Sequence, residues 1–217
     1  MGKILKNMPT ICPTITVTNL EDYKKQLDLN YSLTKRIQVD LMDGKFAPSL
    51  SPTPDDIWWP EDVLADVHLM YEKPMDYAER LVELKSHIVI VHAEIDLDLN
   101  EFADYFHKNG IKAGVCLLAP TEVKSVEYAL KNIDHVIIFS GNLGYQGGSK
   151  VDFNLLKKID EIHSVNPKIE IGWDGGVNDE TAKRLADGGV DVLNVGGFIQ
   201  KAENPQAAYQ KLVALVV

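Results

Sequence analysis

Short apolar runs recur along the chain, separated by longer stretches in which apolar residues return every three or four positions. The first pattern predicts buried strands and the second amphipathic helices. Strands are expected at 10–15, 36–41, 65–70, 87–92, 112–117, 135–139, 168–173 and 190–195. Helices are expected near 20–29, 75–84, 100–108, 123–130, 153–164, 179–186 and 205–213. Segment 53–60 fills the remaining slot, where Pro54 and Pro60 allow only a short or irregular helix. Strand–helix alternation of this kind predicts an α/β fold, a single-domain (β/α)8 TIM barrel over 1–217. The competing open, doubly wound dinucleotide fold needs a Gly-rich turn after its first strand, and Cys12-Pro13-Thr14-Ile15-Thr16 is not one.

Several strands carry polar residues where an apolar core position is expected. In Arg36-Ile37-Gln38-Val39-Asp40-Leu41-Met42-Asp43-Gly44, Gln38 and Asp40 share a face because residues two apart on a strand do. Asp66-Val67-His68-Leu69-Met70, His92-Ala93-Glu94 and Trp173-Asp174-Gly175-Gly176 are built alike. Polar groups gathered at the carboxyl ends of barrel strands build enzyme sites. Asp40 and Asp174, at the ends of the second and seventh strands, are placed to work on two faces of one substrate. One carboxylate would take a proton beside a carbonyl while the other, protonated, returns one. Their plainer reading is capping and turn stabilisation, and Asp43 beside Gly44 reads as a turn residue. His68 is a candidate divalent-ion ligand with the two aspartates, or a satisfied core histidine. Met42, Met70 and Leu118 are candidates for an apolar wall around the reacting carbons, with ordinary packing as the alternative.

Glycines cluster after the last three strands, at Gly144 to Gly148, Gly175-Gly176 and Gly196-Gly197. Glycine lets backbone N–H groups approach an anion, and barrel enzymes often seat phosphate among these loops. A formal net charge of -10 argues against a nucleic-acid partner, yet backbone donors can bind phosphate within an acidic protein. Composition is 45% hydrophobic over 217 residues, enough for one large core, and no segment reaches the length of a membrane span. Lys3 and Lys6 precede no apolar run of signal-peptide length, so a cytoplasmic protein is expected. Cys12 and Cys116 lie in separate apolar strands and read as buried, reduced thiols.

Taken together, these segments resemble the ribulose-phosphate 3-epimerase family across nearly the whole chain. The resemblance rests on Cys12-Pro13-Thr14-Ile15, Val39-Asp40-Leu41-Met42-Asp43-Gly44-Lys45-Phe46-Ala47-Pro48, Asp66-Val67-His68-Leu69-Met70, His92-Ala93-Glu94, Asp174-Gly175-Gly176-Val177 and Gly196-Gly197. It implies interconversion of D-ribulose 5-phosphate and D-xylulose 5-phosphate through an enediolate, with Asp40 and Asp174 as the two acid/base groups. It implies one divalent metal, zinc or iron(II), held by Asp40, His68 and Asp174. Thr14, Met42, His68, Met70 and Leu118 would line the substrate, and Gly144, Gly147, Gly175, Gly176, Gly196 and Gly197 would hold its phosphate. A homo-oligomer is also implied.

The chain departs from the family pattern at the pocket. Gln38 stands where the family has a metal-binding histidine, so it is either a weak fourth ligand or the holder of a water. Thr14 and Gly197 replace serines, Asn19 an acidic residue and Ser49 an asparagine. Leu118-Ala119-Pro120 replaces an Asn-Pro motif, and 142–146 departs from Pro-Gly-Phe-Gly. Three alternatives remain open at this level: a hexulose phosphate as substrate, another phosphosugar reaction on the same enediolate chemistry, and phosphosugar binding without catalysis.

Overall fold

The computed structural model describes residues 8–217, so Lys3 and Lys6 lie outside the described residues. Eight parallel strands close into a barrel in sequence order: β1 (Thr10–Thr16), β2 (Arg36–Met42), β3 (Leu64–Met70), β4 (Ile88–His92), β5 (Lys112–Leu117), β6 (His135–Phe139), β7 (Glu170–Asp174) and β8 (Val192–Val195). Outside them run α1 (Leu20–Leu33), α2 (Ala78–Glu83), α3 (Leu99–Lys108), α4 (Lys157–Val165), α5 (Ala182–Asp187), α6 (Gly197–Gln200) and α7 (Pro205–Val216). No helix among the described residues is long and apolar enough to cross a membrane.

Strand alternation sorts the side chains. Val39, Leu41, Val67, Leu69, Val89 and Val91 point outward into the layer between strands and helices, where they join the main apolar cluster. Ile88, Ile90, Cys116, Ile137 and Phe139 point inward and form a second cluster inside the barrel. The inward face of β3 is polar below and apolar above: Asp66, His68 and Met70 lie in register with Gln38, Asp40 and Met42 of β2. Cys12 and Cys116 are buried free thiols, as expected.

Two expected helices form differently. Over 123–130 the chain makes one 3-10 turn at Val123–Ser125 and then further turns. Backbone bonds from Val126 to Val123 and from Ala129 to Val126 each span three residues. A repeat of three fits a 3-10 path better than the α-helix. Segment 53–60 is a turn rather than a helix, closed by Asp56 accepting from the Thr53 amide (2.9 Å) and hydroxyl (2.7 Å). The short α6, directly after β8, is not expected from the sequence pattern.

Lys158 shows how a helix outside the barrel orders a loop above it. Its ammonium, almost wholly buried, donates to the carbonyls of Leu118 (2.9 Å), Ala119 (3.1 Å) and Thr121 (2.8 Å). Three N–H donors thus meet three acceptors on the loop after β5. Lys158→Met is expected to destabilise the protein by about 1–3 kcal/mol, because it removes the ammonium from the Ala119 and Thr121 carbonyls and leaves Leu118 only the Thr121 amide. Chemical denaturation would measure the loss, and increased protease cleavage near Pro120 would locate it.

Candidate active site

The carboxyl ends of the strands surround a cavity of about 260 Å³, near the lower end of the range for small-molecule sites. Thr14, Asp40, Met70, Gly144, Gly147, Asp174, Gly175, Gly176, Gly196 and Gly197 all line it. Gln38 and His68 are fully buried beneath, on the interior face of β2 and β3. Met42 and Leu118 do not line this cavity. Met42 packs with Ala47, Met70, Phe46 and Leu143, and Leu118 packs against the cluster inside the barrel. Asp43 is a turn residue, its Oδ1 accepting from the amides of Lys45 and Phe46 (2.9 Å each) and its Oδ2 from that of Glu72 (2.7 Å).

Asp40 and Asp174 converge on one atom. The amide nitrogen of Gln38 donates to Asp40 Oδ1 at 2.8 Å and to Asp174 Oδ2 at 2.6 Å. Only β8 and β1 stand between the strands that carry them, so the two carboxylates sit closer around the barrel than opposite sides would allow. Thr16, in register with Asp40, donates its hydroxyl to Asp40 Oδ2 at 2.6 Å. Burial raises the Asp174 carboxyl to about 7, and the neighbouring charge of Asp40 adds to the rise. A pair so placed keeps one proton near neutral pH.

His68 extends the network away from the cavity. Its Nδ1 lies 3.1 Å from Asp40 Oδ1 and its Nε2 lies 3.0 Å from His92 Nε2. His92 Nδ1 meets Glu94 Oε2 at 3.2 Å, while Glu94 Oε1 accepts from the Leu118 amide at 3.0 Å and from the Thr121 hydroxyl. Burial opposes ionisation of Glu94, but His92, Thr121 and the Leu118 amide outweigh it and hold the carboxyl below its usual value. Burial, reinforced by His68, lowers His92 to about 4, so its ring is neutral at pH 7.

These two states fix the proton positions through the network. An ionised Glu94 only accepts, so the one proton of His92 is on Nδ1 and its Nε2 is an acceptor. His68 then donates from Nε2, and its Nδ1 faces Asp40 Oδ1 at 3.1 Å. An imidazole nitrogen this close to a carboxyl oxygen shares a proton with it or leaves room for a cation beside both. Asp40, His68 and Asp174 offer ligand atoms within 4.8 Å of one another, a carboxylate–imidazole–carboxylate set. Three protein ligands of this type suit a catalytic divalent ion, with His92 and Glu94 orienting the imidazole from behind. The residues therefore fit a metal.

Above the carboxylates the loops close tightly. Gly175 and Gly176 adopt φ of 108° and 74°, and a Cβ on Gly175 would lie 2.3 Å from the backbone nitrogen of Gly141. No side chain fits there, so the backbone itself forms the cavity wall. Lys201, at the end of α6, reaches the Gln146 carbonyl at 3.4 Å and is the one basic residue lining the cavity among the described residues. Asn194 on β8, in register with Asp174, also lines it; it is 2% exposed and neither polar atom of its side-chain amide has a hydrogen-bond partner. Thr16, Asn194 and Lys201 are absent from the sequence reading. An amide inside the apolar run Val192-Leu193-Asn194-Val195 was the available signal for Asn194, whereas Lys201 carried none.

A closed parallel barrel with paired carboxylates, a ligand-ready imidazole and glycine loops on one face defines a class: barrel enzymes whose chemistry sits at the carboxyl ends of the strands. A sequence model of the ribulose-phosphate 3-epimerase family matches residues 10–199, and the chain belongs to that family. It is 30% identical over 208 residues to the ribulose-phosphate 3-epimerase of Helicobacter pylori (strain ATCC 700392 / 26695), covering 93% of this chain and 95% of that one. It is 32% identical over 189 residues to the chloroplastic ribulose-5-phosphate-3-epimerase of Arabidopsis thaliana, covering 82% and 66%. Among solved structures, 3-keto-L-gulonate-6-phosphate decarboxylase from Vibrio cholerae O1 biovar El Tor str. N16961 superposes with a TM-score of 0.74 at 12% identity, covering 97% of this chain and 98% of that one. The 3-hexulose-6-phosphate synthase of Salmonella typhimurium gives 0.72 at 16% identity, covering 95% and 98%. These two likenesses concern the fold.

Proposed function

We propose that the protein epimerises a ketose phosphate at carbon 3, with D-ribulose 5-phosphate and D-xylulose 5-phosphate as its substrate pair. The observation that carries this reading is the convergence of Asp40 and Asp174 on one amide nitrogen at the floor of the cavity. One ionised and one protonated carboxyl are what a two-face proton transfer requires. The ionised aspartate removes the carbon-3 proton, the sugar becomes an enediolate, and the other aspartate returns a proton to the opposite face. The reverse reaction exchanges the roles.

The backbone around Gly147, Gly176 and Gly197, with the ammonium of Lys201, would receive the phosphate dianion. Asp40, His68 and Asp174 would hold a divalent cation, zinc or iron(II). When bound it would neutralise the negative charge that develops on the sugar's carbonyl oxygen. Asn194, between the phosphate loops and Asp174, would accept and donate to a sugar hydroxyl. Asn194→Leu is expected to lower kcat/KM about 10–100-fold, mainly through KM, because the hydroxyl would enter an apolar site unpaired.

The deciding experiment follows solvent deuterium into substrate and product, starting from D-ribulose 5-phosphate with metal-stripped protein and with protein refilled with zinc or iron(II). Metal-dependent formation of D-xylulose 5-phosphate carrying deuterium at carbon 3 supports the proposal. Absence of both exchange and product, alongside turnover of a hexulose 6-phosphate, would transfer the same chemistry to a longer sugar. Tight binding without exchange for either sugar would sink the enzymatic reading.

A further inference from the structure

Gln38 holds the two carboxylates with its nitrogen and leaves its oxygen unused. The donated bonds are 2.8 Å to Asp40 and 2.6 Å to Asp174, one for each hydrogen of the amide. Oε1 is buried and has no hydrogen-bond partner. An orphaned buried acceptor is destabilising, so this orientation must gain more than that elsewhere. The gain is visible in the alternative: turning the amide over would set a carbonyl oxygen against an ionised carboxylate and give up both donated bonds. Gln38 itself is fully buried on β2, between Thr14 of β1 and Asp66 of β3, which restricts the side chain to this part of the barrel interior.

The carboxyl groups that own these oxygens are two members of the ligand set completed by His68. Two N–H groups pointing at those oxygens offer positive partial charge where a cation would bring a full one. They satisfy lone pairs that a cation would use, and they supply no donor atom to it. For Gln38 to become a ligand, the amide would have to rotate by half a turn and give up both bonds first. We propose that Gln38 is a hydrogen-bond clip that joins Asp40 to Asp174 and competes with the divalent cation at this site, so that metal binds weakly and exchanges readily. The clip stands in for part of the cation's structural work, holding the two carboxyl groups on one atom.

A clip and a weak ligand make opposite predictions for the same truncation. If Gln38 competes, removing its amide raises metal affinity; if Gln38 ligates, removal lowers it. The test titrates metal-stripped protein with Co(II), reading both heat and the visible ligand-field bands, for wild type, Gln38→Ala, Gln38→Leu and Gln38→His. The expected order is wild type weakest, Gln38→Ala and Gln38→Leu about 3–10-fold tighter, and Gln38→His tighter still because imidazole is a true ligand. In the absence of metal, Gln38→Ala and Gln38→Leu should melt lower than wild type, and Co(II) should restore more of the loss than it adds to wild type.

Affinity of Gln38→Ala and Gln38→Leu equal to or below wild type, in variants whose near-ultraviolet spectrum matches the parent, would overturn the proposal. Two truncations of different volume guard against a cavity effect at a single one. The inference takes its metal from the proposed function but does not depend on turnover. A wild type that epimerises while the affinity order is reversed loses only the clip. A wild type that turns nothing over while the order holds loses only the reaction.

Discussion

Asp174→Asn is expected to lower epimerisation about 10²–10⁴-fold, the range for loss of one positioned acid/base group. Asparagine keeps the size of the side chain and cannot carry the proton. Two contributions must be separated, since Asp174 belongs to the ligand set as well as to the proton-transfer pair. Measurement at saturating metal removes the first. What remains is a split between the two directions: Asp40 still reaches one face, so deuterium should still wash into one epimer of the sugar while exchange into the other is lost. Equal residual exchange into both epimers would mean that Asp174 does not serve a face of its own. Asp174 is the more informative position of the two because burial and the Asp40 charge set its carboxyl within the pH range where the enzyme would work.

The second large effect concerns stability and lies at the other end of the barrel. Arg36 crosses the amino-terminal mouth, donating to Asp66 Oδ2 at 2.8 Å and to both oxygens of Glu170, at 2.8 and 2.6 Å. His87 meets Asp66 Oδ1 at 2.6 Å and His135 meets Glu170 Oε2 at 2.8 Å. Arg36→Met leaves a carboxylate on Asp66 (2% exposed) without its guanidinium, whereas Glu170 (33% exposed) is partly rescued by solvent. Removing one partner of a buried pair typically costs about 3–5 kcal/mol. For a domain of this size each kcal/mol shifts Tm by about 2–4 °C, so calorimetry should show a fall of roughly 6–20 °C.

The same cluster sets a pH dependence. Burial opposes ionisation of Glu170, but Arg36 and His135 outweigh it and hold the carboxyl well below the usual range. An unfolded glutamate titrates near about pH 4.3, so this stabilisation is complete above about pH 5 and drains away as pH falls through the folded value. Wild type should therefore lose stability steeply in acid. Arg36→Met, lacking the partner that depresses Glu170, should show a shallower fall over the same interval. Parallel curves would assign the acid transition to other groups.

Much of the site's polar chemistry could be read from single strands. Asp40 and His68 interrupt apolar alternation, and Asp174 opens a glycine turn, so each marks itself locally. Asn194 carries the same kind of signal, but one amide on a strand says nothing of whether it has a partner. The Arg36 cluster was not legible at all. Its five members lie at the amino-terminal ends of β2, β3, β4, β6 and β7, with Arg36 and Glu170 separated by 134 positions in the chain, and only barrel closure brings them together.

By itself the sequence determined the barrel, because the strand pattern is a local property repeated eight times in order, with helical patterns between most of the strands. It also determined which residues face inward, since a strand alternates its faces, and it placed the glycines where backbone must form a wall. Only the tertiary structure decided how those inward groups meet: which way the Gln38 amide turns, which partners the two nitrogens of His68 face, and how closely Asp40 approaches Asp174. Those outcomes depend on hydrogen-bond geometry among side chains from β2, β3, β4 and β7, and on a burial that forces each donor and acceptor to find a partner or go without.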